Sequence, residues 1–106
     1  MSGKSLDDLG VVVSAVINVR AHDQLPKGFL VEEGLGFHLK FNGESHPARV
    51  VRCENPIEVG DSGRIHIMFT ALEQERNTIK QGLPLEFIGG LDILFGDGEI
   101  LKVIEI

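Results

Sequence analysis

Apolar residues recur at every second position along most of this chain, and that period constrains the fold more than any other feature. Val11, Val13, Ala15, Ile17 and Val19 share one face of an extended segment. Leu35, Phe37, Leu39 and Phe41 repeat the pattern, as do Ile65, Ile67 and Phe69. Shorter alternations follow at Leu85 and Phe87, Ile93 and Phe95, and Leu101 and Val103. Side chains on a strand point to opposite faces in turn, so the period marks half-buried strands. Val12 and Val16 occupy the second face of the first segment, which predicts a strand covered on both sides or lying under a partner.

Turn chemistry separates these segments. Asn42-Gly43 supplies the positive φ angles of a tight hairpin. Pro56 lacks a backbone donor and stops a strand at Asn55. Residues 59–63, Gly89-Gly90 and Gly96-Asp97-Gly98 are further turn clusters. Several short strands at this spacing predict an all-β barrel or sandwich. Residues 71–81 (ALEQERNTIKQ) break the alternation. They read as a strand end, a polar bend and a connector, with a short helix as the rival. Residues 20–34 form a long mixed loop with a turn at Pro26-Lys27-Gly28, and loops of that length often carry binding.

A chain of 106 residues suits a single domain. Residues 1–10 read as a polar leader and 11–106 as one β-barrel domain. The leader has no apolar stretch of the signal-peptide kind, and no apolar run is long enough to span a membrane. Cys53 is the sole cysteine, which excludes an intramolecular disulfide and a cysteine-based zinc site. A reducing, cytoplasmic setting fits. The net charge of −6 opposes nucleic-acid binding, which depends on Lys and Arg neutralising phosphates. With no Trp and no Tyr, base stacking would fall to the six Phe, most of them at core positions.

Each candidate for chemistry has a plain structural reading. Gly3-Lys4-Ser5 ends like a phosphate-binding loop but lacks the earlier glycine, the preceding strand and the following helix. His22, His38, His46 and His66 are far apart in sequence, whereas a metal needs three or four convergent ligands. His38 and His66 fall on polar strand faces, the pair best placed to meet outside a barrel. Cys53 follows Arg52, a cation that favours a thiolate, yet a lone cysteine is usually a small buried hydrophobe. The acidic pairs Asp7-Asp8, Glu32-Glu33 and Glu73/Glu75 do not converge across a cleft as acid–base catalysis requires. They suit solubility and the choice of a basic partner. Lys40 and Lys102 point outward from strands and discourage stray edge pairing. The expectation is no catalytic residue, no metal and no cofactor.

From Val11 to Ile106 the order of features resembles the C-terminal, third β-barrel domain of elongation factor Tu. The aromatic strand is Gly36-Phe37-His38-Leu39-Lys40-Phe41, and the hairpin returns through residues 48–54. The Gly-Asp turn is Ile57-Glu58-Val59-Gly60-Asp61, leading into residues 64–72. Then come Gly82-Leu83-Pro84-Leu85-Glu86-Phe87-Ile88-Gly89-Gly90 and a closing strand with Gly96, Gly98, Ile100, Leu101 and Val103. The resemblance implies a small closed antiparallel barrel of six to seven strands, all-β, that docks to other macromolecules. It implies turn roles for Gly60, Asp61, Gly82, Gly96 and Gly98, the glycines taking angles that a Cβ resists.

No GTPase domain accompanies the barrel, so nucleotide hydrolysis is not implied. The family's tRNA-facing loop is glycine-rich and basic. Here residues 21–29 are shorter and nearly neutral. The leading expectation is therefore a stand-alone, non-catalytic module that docks a protein partner through residues 20–34 and 73–81. The contact residues would be His22, Asp23, Gln24, Lys27, Phe29, Glu73, Glu75 and Arg76. The alternative is an accessory that binds tRNA or the ribosome, and a basic patch gathered on one face would favour it. A third reading, an enzyme or metal protein, needs His38 and His66 to meet a carboxylate.

Overall fold

Ten residues, Gly10–Val19, form strand β1, and its odd-numbered side chains from Val11 to Val19 are all buried. The structure, a computed structural model, describes residues 10–105. Residues 1–9 of the polar leader, with Gly3-Lys4-Ser5 and Asp7-Asp8, and Ile106 lie outside the described residues. The remaining strands are β2 (Leu30–Val31), β3 (Gly36–Phe41), β4 (Glu44–Arg52), β5 (Ile57–Glu58), β6 (Ser62–Thr70), β7 (Pro84–Ile88) and β8 (Leu94–Glu105). Six of them close an antiparallel barrel in the order β1-β6-β4-β3-β7-β8. The interior is filled by the predicted alternating residues, among them Leu39, Ile65, Ile67, Leu85, Phe87 and Phe95. β2 and β5 pair separately as a short ribbon, with Val31 and Ile57 turned inward.

Register fixes which loops share an end. Gly10 lies opposite Thr70 and Asn18 opposite Ser62. The segment after β1 therefore leaves one end of the barrel, and the segment after β6 leaves the other. Residues 20–35, the β2–β5 ribbon and the β7–β8 turn gather at the first, which we call the loop end. Residues 71–83 close the second together with the β3–β4 hairpin. That hairpin turns on Asn42 and Gly43, with φ of 52° and 79°, the positive pair its Asn-Gly sequence predicts.

Three local features differ from the sequence reading. Residues 73–78 form a short 3-10 helix, the rival to the predicted bend. Leu72 and Glu75 bond each other reciprocally at its start, and buried Ala71 and Ile79 bracket it. In β8, a register shift opposite β7 skips Phe95, so Gly96, Gly98 and Ile100 line up with inward-facing Val19, Ile17 and Ala15; a second shift beyond Ile100 leaves Leu101 half-buried and brings half-buried Val103 opposite Val13. The glycines also divide into two roles. Gly60 and Gly82 take the expected left-handed angles, with φ of 95° and 92°. Gly96 and Gly98 do not: their role is close approach. A Cβ on Gly98 would lie 1.8 Å from the Val16 carbonyl oxygen, and one on Gly96 would lie 3.0 Å from that of Asn18. The Gly-Asp turn closes through backbone groups, Gly60 N–H donating to Val19 O and Val19 N–H to Asp61 O.

Gly98→Ala should therefore destabilise the domain by about 3 kcal/mol, lowering Tm by more than about 10 °C. Gly90→Ala, with open space around the added Cβ, should stay within about 0.5 kcal/mol. Urea unfolding of the two variants beside the parent checks both.

Candidate docking site at the loop end

The long loop after β1 is built, not slack. Arg20 N–H donates to Phe95 O at 2.9 Å, and its guanidinium pairs with Asp97. That pair holds the Asp97 carboxyl below its ordinary range, with the Asn18 amide adding to the effect. His22 forms a turn: its carbonyl accepts Leu25 N–H and its Nδ1 accepts Gln24 N–H, both at 3.0 Å. A second turn closes from Phe29 N–H to Pro26 O, with Gly28 at φ 75°. The Phe29 ring meets Phe95 edge-on at 5.2 Å. β2 then pairs with β5, and Gly34 N–H donates to Val50 O at 2.8 Å. Between these turns lies a cleft of about 450 Å³, lined by His22, Leu25, Pro26, Lys27, Phe29, Glu58 and Val59 among others.

At the same end stands the β7–β8 turn. Leu91 and Asp92 have φ of 61° and 59°, angles a bulky side chain resists. Leu91 is also 91% exposed. A leucine that is both strained and bare is unexplained by folding, and strain of this kind concentrates at functional sites. Val59 and Leu94 are exposed nearby at the same end. Asp23, Glu32, Glu33, Glu58, Asp61 and Asp92 lie in the segments at this end, all exposed. Against them stand Lys27, the already paired Arg20, Arg52 at the end of β4 and Arg64, which shares a depression with Asp61.

Of the predicted contact residues, the structure gathers His22, Asp23, Gln24, Lys27 and Phe29 here. Glu73, Glu75 and Arg76 lie at the opposite end, separated by the length of β1, about 30 Å at the usual rise. There Glu75 acts as a latch. Its Oε1 accepts Leu72 N–H at 2.9 Å, and its Oε2 lies 2.8 Å from His46 Nε2. His46 is 7% exposed and stacks flat on Phe41, ring centres 4.2 Å apart. Asn42 Nδ2 donates to Thr78 Oγ1, which donates to Glu75 O, so hairpin and helix are tied twice. Sequence reading missed His46, although it shares the inward parity of Ala48 and Val50 on β4.

Glu44, His46 and Glu75 bring three metal-type ligand atoms within 4.8 Å of one another. The imidazole argues against a metal. Its Nδ1 is buried with no hydrogen-bond partner, so the proton sits on Nε2 and is donated to Glu75. A metal on Nε2 would force a buried, unsatisfied N–H onto Nδ1, costing about 1–3 kcal/mol. The expected neighbours His38 and His66 do not meet. β4 runs between their strands, with His38 opposite Pro47 and His66 opposite Arg52. Cys53 is half-buried and bonds to the carbonyls of Asn55 and Val31. Burial pushes its thiol pKa up, Glu32 and Glu33 add to that, and the Asn55 bond opposes it.

No family model matches the chain, and a comparison with curated proteins gives no match. No helix among the described residues is long and apolar enough to cross a membrane.

The Leu72 backbone N–H, with help from His46, holds the Glu75 pKa below its ordinary value of 4.5, against the opposing effect of burial. A depressed carboxylate contributes stability above its unfolded pKa and loses it as pH falls through the folded one. Glu75→Gln should cost about 1 kcal/mol at pH 7, and the gap to the parent should narrow as pH drops below 4.5. Thermal unfolding of both chains between neutral and acidic pH tests this.

Proposed function

We propose that this chain is a non-catalytic binding module of the elongation factor Tu C-terminal barrel type, docking a protein partner in the cytoplasm. The observation that carries the reading is Leu91, bare and held in a left-handed conformation at the same end of the barrel as a preformed cleft. Apolar anchors ringed by polar residues are where interfaces concentrate their energy. The acidic residues at this end select the partner by charge: a segment bearing Lys or Arg around an apolar residue that enters the cleft between Phe29 and Val59. The order of strands, Gly-Asp turn and closing glycines supports the translation-factor likeness. The docking surface on this reading is residues 20–34 joined by Val59 and Leu91, and residues 73–81 form a separate face at the other end.

The alternative, an RNA-associated accessory of translation, draws support from one observation. Arg49, Arg52 and Arg64 gather on the outer face of β4 and β6.

Leu91→Asn separates binding from folding. Asn takes left-handed angles more readily than Leu, so Tm should hold or rise by a few degrees. Partner affinity should fall at least about tenfold. A photoreactive residue at position 91 should capture a protein in the native cell, insensitive to ribonuclease and competed by the parent chain but not by Leu91→Asn. Capture abolished by ribonuclease, or competed equally by both chains, would contradict the reading.

A further inference from the structure

The outer wall of the barrel carries a second site, of opposite charge, where β4 and β6 reach the loop end. Along β4, Ala48 and Val50 turn inward opposite Phe69 and Ile67 of β6. Strict alternation would turn Arg52 inward as well. A register shift between Val50 and Arg52 inserts Val51, and Arg52 falls instead opposite outward-facing His66. Bulges re-aim side chains in this way and are common beside functional sites. The row extends across the wall. His66 lies opposite Ser14 of β1, and Ser14 opposite Lys102 of β8. Arg64 stands two residues from His66 on the same face of β6, and Arg49 lies on the other side, opposite Met68.

Arg52, Arg64 and His66, with Glu54, line a depression of about 560 Å³. Among the described residues neither Arg52 nor Arg64 forms an ion pair. Two guanidinium forks and an imidazole thus face one space in a chain of net charge −6. Nothing in the fold requires this. Adjacent unpaired arginines repel, and the bulge that places Arg52 here gives up regular pairing at Val51.

We propose that this depression binds a phosphoryl group. Arginine's planar fork matches phosphate oxygens two at a time, and a second arginine with a histidine completes a three-sided cradle. Glu54 sets the fourth side. Its carboxylate disfavours a densely charged anion and accepts a hydrogen bond from a hydroxyl beside the phosphate, which favours a phosphate ester over the free ion. Lys102 and Arg49, on either side, give a longer anion a path across the wall.

The test uses the whole chain and inorganic phosphate as the first probe, followed by backbone amide shifts. Phosphate should move the amides of Arg52, Arg64 and His66 with a saturating, millimolar curve, and sodium chloride at equal ionic strength should not. Arg52→Gln and Arg64→Gln should each weaken binding about tenfold with Tm unchanged, since both side chains are exposed. Glu54→Gln should tighten inorganic phosphate severalfold. A nucleoside monophosphate and a short single-stranded RNA then separate the sources. Affinity that rises with RNA length assigns the site to a nucleic-acid backbone, and affinity equal for monophosphate and RNA assigns it to a small phosphate ester. Shifts reproduced by chloride, or left intact in both arginine variants, would overturn the proposal.

Discussion

β8 lies flush against β1 because Gly98 presents only hydrogen to the Val16 carbonyl, at a spacing that admits no Cβ. Gly96 does the same beside Asn18 one step further along. This approach closes the barrel, since β1 pairs with β6 on its other side and β8 carries on to β7. Closure removes the sheet edges that would otherwise recruit other chains. It also fixes where everything else sits. Phe95, next to Gly96, packs against Phe29, Phe37 and Phe87, so the seam anchors both the core and the long loop.

The two ends of this frame are treated differently. One is shut by the stacked Phe41–His46 pair, the Glu75 latch and the Asn42–Thr78 bond. Polar groups there bond one another, His46 Nδ1 excepted. At the loop end the backbone is just as firmly bonded, yet Leu91, Val59 and six carboxylates are left facing outward. A surface that is rigid and unsatisfied loses little entropy when a partner covers it. That asymmetry, with Leu91, is why the proposed docking surface is assigned to the loop end.

The alternation of apolar residues and the Asn42-Gly43 turn made the strands and the hairpin legible, because both act between near neighbours in sequence. What escaped depends on partners distant along the chain. The role of Gly96 and Gly98 is set by β1, some eighty residues earlier, and reads locally as a turn. His46 showed only as one of four scattered histidines, and its burial depends on Phe41 and on Glu75 of the 73–78 helix. The bulge at Val51 reverses the face of Arg52, and the shift at Phe95 turns Ile100 rather than Leu101 inward, which no period-two count anticipates. The candidate loop was visible from its length and turn residues. Its neighbour Leu91 was not, since a single leucine between glycines and an aspartate gives no sign of its backbone angle.

The central claim is that the barrel presents its loop end already formed. Amide hydrogen exchange measures this directly, as it reports the free energy of opening each bond. The Arg20, Gly34 and Gly60 amides, bonded to Phe95, Val50 and Val19, should exchange as slowly as those of β1 and β6. Exchange at these three amides approaching that of an unstructured loop, with the strands still protected, would contradict it.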